Sequence, residues 1–169
     1  MTTEADLLQH DMKRAMRRVA SSVAIVTAHS GRSRIAMVAT AVTSLSLEPP
    51  SLIVCVNRNA SIFPVLARGG QFCVNVLAGH HRDLAQHCSK ASGEARFTVG
   101  RWSHARGVPY LEDAQASVFC VVDGGCDYGS HRVIVGRVRR VFVSPEVASL
   151  VYIDGGYVEA GSPGKSAAP

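Results

Sequence analysis

Apolar runs separated by short polar or glycine-rich segments are the main pattern of this chain. The runs are rich in Val, Ile, Leu and Thr, which favour β-strands. Strands follow one another without regular alternation with helices, so the pattern predicts a mainly β (α+β) fold built on an antiparallel barrel. The last run is short enough to be a strand or a turn. The runs lie at 21–28, 34–41, 51–57, 71–77, 116–143 (two long strands around a glycine-rich turn) and 151–158.

Helical spacing occurs in three places. Over residues 5–20, apolar side chains recur every three or four positions, which predicts an amphipathic helix with one apolar stripe. A second, short helix is predicted over 61–68 with Ser61 as its N-cap, and a third over 81–89. The stripe of the first helix consists of Leu8, Met12, Met16 and Val19.

The ends of the chain and one internal segment lack a clear pattern. Residues 90–113 are polar and irregular, and their length predicts a functional or interface excursion. We expect one domain over residues 12–158, preceded by an N-terminal extension over 1–11. The polar residues 159–169 are expected to form a disordered tail.

Composition narrows the classes of partner. Only 18% of the residues are charged, which favours a homodimer that covers some apolar surface. The net charge of +5 is compatible with an anionic small molecule. Because the basic clusters are not interleaved with aromatic residues, nucleic acid is not expected. No uninterrupted apolar run reaches the length of a membrane span.

The five cysteines form no C-x-x-C pair and are odd in number. This usage predicts reduced thiols and a cytoplasmic protein rather than a disulfide framework. No metal-ligand spacing is present among the Cys and His residues, so no metal is expected.

The segment 38–61 holds the densest candidate chemistry. Thr40, Thr43, Ser44 and Ser46 place four hydroxyls just before the breaker Glu48-Pro49-Pro50. Such hydroxyls can cradle a phosphate or a pyrimidine-dione edge, or they can bond their own backbone. Ser61 can likewise meet an anion at a helix start or serve as an ordinary cap. The chain has no G-x-G-x-x-G and no P-loop, so a bound nucleotide requires another scaffold.

Six motifs in order resemble the flavin reductase-like family, the small reductases of two-component flavin monooxygenases. The resemblance spans residues 12–158, and its strength lies in the order of motifs that are individually weak. The matching stretches are VAIVT (23–27), TAVTSLSLEPP (40–50), CVNRNAS (55–61), FCVNVL (72–77), GSHRVIVGRV (129–138) and the pattern of Tyr152, Gly155 and Tyr157.

The resemblance implies an FMN-binding split β-barrel that dimerises and holds FMN or FAD at the subunit interface. NADH or NADPH would reduce that flavin for a partner monooxygenase. The matching His131 would enter the nicotinamide pocket, where it is the candidate catalytic residue. The implied flavin-binding residues are Val38, Ala39, Thr40, Ala41, Thr43, Ser44, Cys55, Val56, Asn57, Ser61, His81, Arg82 and Tyr157.

Two departures from the family pattern affect this expectation. Ser130 replaces the usual acidic residue before His131, and Asp127 is the candidate substitute. Gly156 replaces an arginine, which leaves FMN and FAD both open. Two other functions remain open as well. One is a flavoprotein that reduces a non-flavin acceptor such as a cobalt corrinoid, and the other is a non-catalytic flavin- or haem-binding module.

Overall fold

The computed structural model of the chain describes residues 2–161. Three α-helices, two short 3-10 helices and twelve strands occupy this range. The helices are α1 (Glu4–Met16), α2 (Phe63–Ala67) and α3 (Arg82–Lys90), with 3-10 turns at Gly79–His81 and Gly93–Phe97. The strands are β1 (Ser21–Ser22), β2 (Ala24–Ser30), β3 (Ser33–Ala39), β4 (Val42–Leu47), β5 (Pro50–Asn57), β6 (Gln71–Val76), β7 (Trp102–Ala105), β8 (Val108–Leu111), β9 (Ala116–Tyr128), β10 (His131–Val143), β11 (Ala148–Ile153) and β12 (Gly156–Gly161).

A seven-stranded antiparallel sheet forms the body of the molecule. Its strand order is β3-β2-β6-β9-β10-β5-β4, so β3 and β4 are its two edges. Only residues 40–41 separate these two strands in the chain. Because two residues must span the distance between opposite edges, the sheet curls into a barrel that stays open along one side. The predicted mainly β split-barrel fold is therefore confirmed.

The barrel interior is filled by alternate residues of the strands. On β5, Leu52, Val54 and Val56 face the core, whereas the residues between them are half-buried on the outer face. Ile62 and Leu66, in and beside α2, are fully buried against the same cluster, so this helix plugs one end of the barrel. Their burial is worth about 1.5–3 kcal/mol per side chain.

A second apolar cluster lies outside the barrel wall. The apolar face of α3, including Leu84 and Cys88, packs against Ile25 of β2 and Ala36 of β3. The small sheet β1-β11-β12 contributes Leu150 to the same cluster. The outer surfaces of β2 and β3 are therefore covered near α3 and open where β3 ends.

Buried polar side chains fasten the hairpin β7-β8 to the barrel. Asn75 of β6 donates to the carbonyl of Ile25 (2.9 Å) and accepts from the backbone N–H of Leu111 (2.8 Å). Thr27 donates to the carbonyl of Pro109 at 2.5 Å. Because these groups are buried and hydrogen-bonded, they stabilise the position of the hairpin instead of penalising burial.

Several predicted elements differ from those observed. The first helix ends at Met16 with Arg17 as its C-cap, where the carbonyl of Arg17 accepts from the N–H of Asp154 (2.8 Å) and its Nε lies 3.1 Å from Asp154 Oδ1. The hydroxyl-rich segment after Thr40 forms strand β4 rather than a simple turn. The irregular segment 90–113 contains a 3-10 helix and the hairpin β7-β8, held by the Thr27 and Asn75 contacts. The supposed tail is a strand up to Gly161, and its remainder, 162–169, lies outside the described residues.

The structure also bears on the predictions about membrane spans and about the cysteines. No helix within residues 2–161 is long and apolar enough to cross a lipid bilayer. All five cysteines are free thiols, and three of them are buried in the barrel wall or beneath α3. Burial raises the pKa of Cys88 to about 11 and that of Cys120 to about 12, so these thiols are protonated and unreactive.

Candidate functional site

The open side of the barrel exposes the polar edge that the sequence analysis singled out. Edge strands leave main-chain N–H and C=O groups without a strand partner, and β3 and β4 are such edges. Thr40 and Ala41 link them, and both are exposed, as are Thr43 and Ser44 of β4. The carbonyl of Ala41 accepts a hydrogen bond from the N–H of Cys55 (3.0 Å), which holds the link beside β5. This edge offers both hydroxyl and main-chain groups to a ligand.

Local backbone bonding accounts for only part of the hydroxyl cluster. The Ser46 hydroxyl donates to the carbonyl of Glu48 (3.1 Å) and accepts from its N–H (3.0 Å), as in an ordinary turn. Thr43 reaches the carbonyl of Ser44 only at 3.5 Å. Both alternatives left open by the sequence therefore occur, each at different residues. Ser46 bonds its own backbone, whereas the hydroxyls that precede it in the chain face solvent.

Two implied site residues point the wrong way for side-chain contact. Ala39 and Val56 are buried in the barrel core, at 8% and 0% exposure. The strand alternation that places Cys55 and Asn57 on the outer face turns Val56 inward. Only main-chain atoms of Ala39 and Val56 can therefore meet a cofactor. Val38 is half-buried beside Tyr157 in the second apolar cluster.

The strand register brings His131 next to Asn57. The two residues pair directly across β10 and β5, and Cys55 pairs with Val133 two residues further on. Arg58 donates to the carbonyl of Gly129 at 2.7 Å and thereby clamps the turn that precedes His131. The structure therefore joins the C-x-N-x-x-S and G-S-H motifs, which are more than 70 residues apart in the chain.

The immediate partner of His131 is a hydroxyl. Ser130 Oγ lies 2.9 Å from His131 Nδ1, the position expected of an acidic partner. Asp127 instead pairs with Arg132, with both carboxylate oxygens 3.2 Å from the guanidinium. Asp127 is therefore not the substitute that the sequence left open, because Arg132 already holds it.

A groove of about 900 Å³ lies between α1 and the outer face of β5 and β10. Its walls include Met12 of α1, Cys55, His131 and Val133. Helix α1 buries none of its residues, and Leu8 on its predicted apolar stripe is 71% exposed. The stripe thus faces a groove rather than the core of its own chain.

Ser61 lies at a separate, smaller cleft. It does not cap α2, whose N-cap is Ile62 and which spans only five residues. The predicted cap is therefore wrong, because α2 begins two residues later than expected. Ser61 instead lines a cleft of about 170 Å³ together with Arg34 and Arg96.

The sequence analysis missed both arginines of this cleft. Arg34 pairs with Glu94 at 2.8 Å, and hydrogen bonds from Arg34 lower the pKa of Glu94. Arg96 donates to the carbonyls of Ala36 and Ala91. No local pattern marks these residues, since the cleft exists only where the 3-10 helix Gly93–Phe97 meets β3.

His81, one of the residues implied to bind the flavin, is buried within its own chain. It is 4% exposed, and its Nδ1 accepts from the N–H of Ala78 at 3.0 Å. Its Nε2 faces Asp113 at 3.2 Å. Burial and the neighbouring His80 lower the pKa of His81, against an opposing effect of Asp113. With both ring nitrogens turned to its own chain, His81 stabilises the 3-10 turn before α3.

Arg82, which follows His81 in the chain, is exposed to solvent. Its guanidinium donates to the carbonyl of Tyr157 at 2.5 Å. The Tyr157 ring is half-buried and meets the Tyr152 ring edge-on, with centroids 5.3 Å apart. Burial raises the pKa of the Tyr157 phenol, so it is neutral and a hydrogen-bond donor. Arg82 and Tyr157 therefore adjoin each other at the end of the site near β3.

His80, His81 and Asp113 cluster closely enough to resemble a metal site. The hydrogen bonding argues against this role. Because His81 Nδ1 accepts from a backbone N–H, the neutral ring carries its proton on Nε2, the atom directed at the cluster. That atom lies 3.2 Å from Asp113 Oδ1 without forming a hydrogen bond, and because it carries the proton it has no lone pair for a cation.

The geometry defines an antiparallel split barrel with an exposed polar edge beside an apolar groove. The chain belongs to the flavin reductase-like domain family, whose model matches residues 16–161. The resemblance found in the motifs is thereby confirmed for most of the chain.

Relatives and solved structures agree with this membership. The chain is 39% identical over 155 residues to an FMN reductase (NADH) RutF of Variovorax paradoxus (strain S110), covering 90% of this chain and 86% of the relative. It is 38% identical over 161 residues to the reductase component of an FADH(2)-dependent resorcinol hydroxylase of Rhizobium sp. (strain MTP-10005), covering 93% and 90%. The structure of BorF, the flavin reductase component of a bacterial two-component tryptophan halogenase, superposes with a TM-score of 0.83 at 28% identity, covering 92% of this chain and 99% of BorF.

Proposed function

We propose that this protein is an NAD(P)H-dependent flavin reductase that supplies reduced FMN or FAD to a partner monooxygenase. The observation that carries the proposal is the family match over residues 16–161, together with an exposed edge and groove formed by the motif residues. Relatives that reduce flavins share 36–39% identity over most of this chain. The cytoplasm supplies the nicotinamide nucleotides, so we place the protein there.

The edge of the open barrel fits the polar side of an isoalloxazine ring. That side carries alternating hydrogen-bond donors and acceptors, which unpaired main-chain groups of edge strands match. In this proposal the Thr40–Ala41 link and the hydroxyls of Thr43 and Ser44 bind it. Main-chain groups of Ala39 and Val56 contribute without their side chains, while Val38 and Tyr157 supply an apolar boundary.

The phosphate end of the flavin requires positive charge. Two places near the edge supply it, the Ser61 cleft with its arginines and the exposed guanidinium of Arg82. Arg96 is half-buried and oriented by its carbonyl contacts, so it loses little side-chain freedom when an anion binds. We therefore assign the phosphate to Ser61 and Arg96, with Arg82 available to a longer FAD.

The groove beside the edge fits the nicotinamide. A bound flavin supplies the acceptor for the hydride, and this chemistry belongs to the cofactors. The protein has to hold the two rings face to face and exclude water. His131 lies at the groove, and Ser130 orients its ring, so we assign His131 to the nicotinamide carboxamide. Cys55 and Asn57 lie between the two sites.

A second copy of the chain would complete the site. The apolar stripe of α1 and the outer face of β5 and β10 are exposed in a single chain, which is costly for a soluble protein. A homodimer that buries Met12 and Leu8 removes this cost and closes the groove. The low fraction of charged residues supports the same arrangement.

The first experiment measures turnover directly. The purified protein is mixed with NADH or NADPH and an excess of FMN or FAD, and nicotinamide oxidation is followed by absorbance. Oxidation that depends on added free flavin is the expected result. Oxidation only with a non-flavin acceptor such as a cobalt corrinoid, or flavin binding without oxidation, would support the alternative functions. The mass of any flavin released on denaturation distinguishes FMN from FAD.

The second experiment tests the role of His131. His131→Ala is expected to lower kcat/KM for the nicotinamide about tenfold, through the loss of one hydrogen bond near the reacting ring. The Kd for flavin should change little. His104→Ala, at an exposed histidine of β7, is the control. Equal losses in flavin and nicotinamide binding would make His131 structural.

The third experiment tests the dimer. Met12→Lys places a charge on the exposed stripe of α1 and is expected to shift the protein towards a monomer in sedimentation velocity. Val143→Lys changes an even more exposed apolar residue outside the groove and is the control. A wild-type protein that sediments as a monomer contradicts the proposed homodimer without affecting the assignment of the edge.

A further inference from the structure

A cavity of about 230 Å³ lies beneath the tip of the hairpin β7-β8. The Thr27 and Asn75 contacts hold the base of this hairpin, and its tip projects over the outer face of β6 and β9. The space below the tip has an apolar floor formed by Val108 and Phe119, which pack together on the outer face of the sheet. The rim is polar and carries Gln71, Arg106 and Arg139.

A β-bulge directs Arg139 to this rim. In the ladder between β10 and β9, Val138 pairs with Cys120 and Arg140 pairs with Phe119. Arg139 is therefore the additional residue, without a partner of its own on β9. Bulges commonly redirect a side chain next to a binding site. In a regular strand, this side chain would have followed the alternation of its neighbours between the two faces of the sheet.

The opposite side of the rim is formed by an unfavourable turn residue. Arg106 and Gly107 make the two-residue turn of the hairpin, and both have positive φ, at 51° and 73°. Turns of this kind prefer Asn, Asp or Gly at the first position. Arginine at this position therefore strains the backbone. Two separate local irregularities thus bring guanidinium groups to one cavity.

Neither arginine has an acidic partner in the part of the chain that the structure describes. Other arginines do form ion pairs with carboxylates within 4.0 Å. Positive charge at the rim of this cavity is therefore not neutralised within residues 2–161. The arginines with such partners are Arg14, Arg17, Arg34, Arg101, Arg132 and Arg137.

We infer that this cavity binds a small organic carboxylate with a single aromatic ring. Guanidinium groups pair with carboxylates through charged hydrogen bonds. An apolar cavity of about 150 Å³ is large enough for benzene, so this cavity accommodates one ring and a carboxylate at its rim. The floor of Phe119 and Val108 suits an aromatic body.

This cavity is separate from the proposed flavin site. Arg139 lies eight residues beyond His131 on β10, or about 26 Å along an extended strand. The inference does not depend on the proposed reductase activity, because it concerns binding by different residues. A protein without reductase activity could still bind the carboxylate.

The test is a calorimetric titration of the whole protein with sodium benzoate. We expect saturable binding of one benzoate per chain. Benzyl alcohol, which keeps the ring, and acetate, which keeps the charge, should each bind at least about tenfold more weakly. Acetate binding as tightly as benzoate would show an adventitious ion only and would overturn the inference.

Paired variants locate the binding. Arg106→Gly suits the positive φ and should keep or raise the Tm, and Arg139→Gln retains the length of the side chain. The double variant is expected to lose benzoate affinity at least about tenfold, a loss of roughly 1.4 kcal/mol. Arg32→Gly, which removes an arginine from the β2-β3 turn, is the matched control. Unchanged affinity in the folded double variant, or no saturable binding by the wild type, would contradict the assignment.

Discussion

Two polar clusters in this barrel look similar in sequence and differ in what they do. Asn75 and its partners lie in the core, where each hydrogen-bonding group meets another group of the same chain. Thr43 and Ser44 lie on an open edge, where hydroxyls face solvent. A residue in a family motif can therefore stabilise the fold without contacting the cofactor. Asn75 belongs to the motif F-x-V-N-x-L, yet it holds a hairpin in place.

The first prediction tests how much the buried amide of Asn75 contributes to stability. Asn75→Leu keeps a similar volume but removes the hydrogen bonds that Asn75 makes to the N–H of Leu111, to the carbonyl of Ile25 and to the hydroxyls of Thr27 and Ser117. We expect the free energy of unfolding to fall by about 3 kcal/mol. Denaturant unfolding measures it, with exposed Asn59→Leu as the control. A loss below about 1 kcal/mol would mean that the cluster contributes little.

The second prediction concerns the exposed cluster. Thr43→Val combined with Ser44→Ala is expected to raise the Kd for FMN about tenfold, because two hydrogen bonds to the ligand are lost. The free energy of unfolding should change little. Quenching of flavin fluorescence measures the Kd. Ser46→Ala on the same strand is the control, since Ser46 already bonds Glu48. Equal effects of both changes would mean that the hydroxyls act only through the strand.

The smallest expected effect is a pH dependence of stability. Burial lowers the pKa of His81, whereas the unfolded chain takes up a proton near pH 6.5. Stability is therefore complete above that pH and falls as the pH drops through the lower folded pKa.

His81→Asn keeps an acceptor for the Ala78 N–H and removes this titration. The loss of stability between about pH 7 and 5 should then become smaller in thermal unfolding. His104→Asn, at an exposed histidine, should leave the wild-type pH dependence unchanged. A wild-type protein with the same stability at both pH values would show that His81 does not control it.

Sequence patterns predicted the strands that form the barrel wall. Their apolar runs are long, because both sides of β6 and of the first half of β9 are largely covered. Strand β4 was missed, because the serines and threonines of an edge strand do not alternate clearly with apolar residues. The hairpin β7-β8 was missed for another reason, since its four-residue strands depend on tertiary contacts with Asn75.

The site was predictable to the extent that neighbouring residues form it. The order of motifs identified the edge at Thr40 and the position of His131. Sequence could not show that Arg96 and Ser61 line the same cleft, because the 3-10 helix and the segment before α2 meet there only in the folded chain. Nor could the sequence show that His81 is buried, since the same residue types occur at exposed and at buried helix starts.

The two-residue link formed by Thr40 and Ala41 limits the width of the opening between β3 and β4. Three peptide units from Ala39 to Val42 can span at most about 11 Å, and that length sets how far the edge strands can part there. Any widening must therefore begin at the opposite end, where Ser33 and Leu47 are not tied to each other by a short connection.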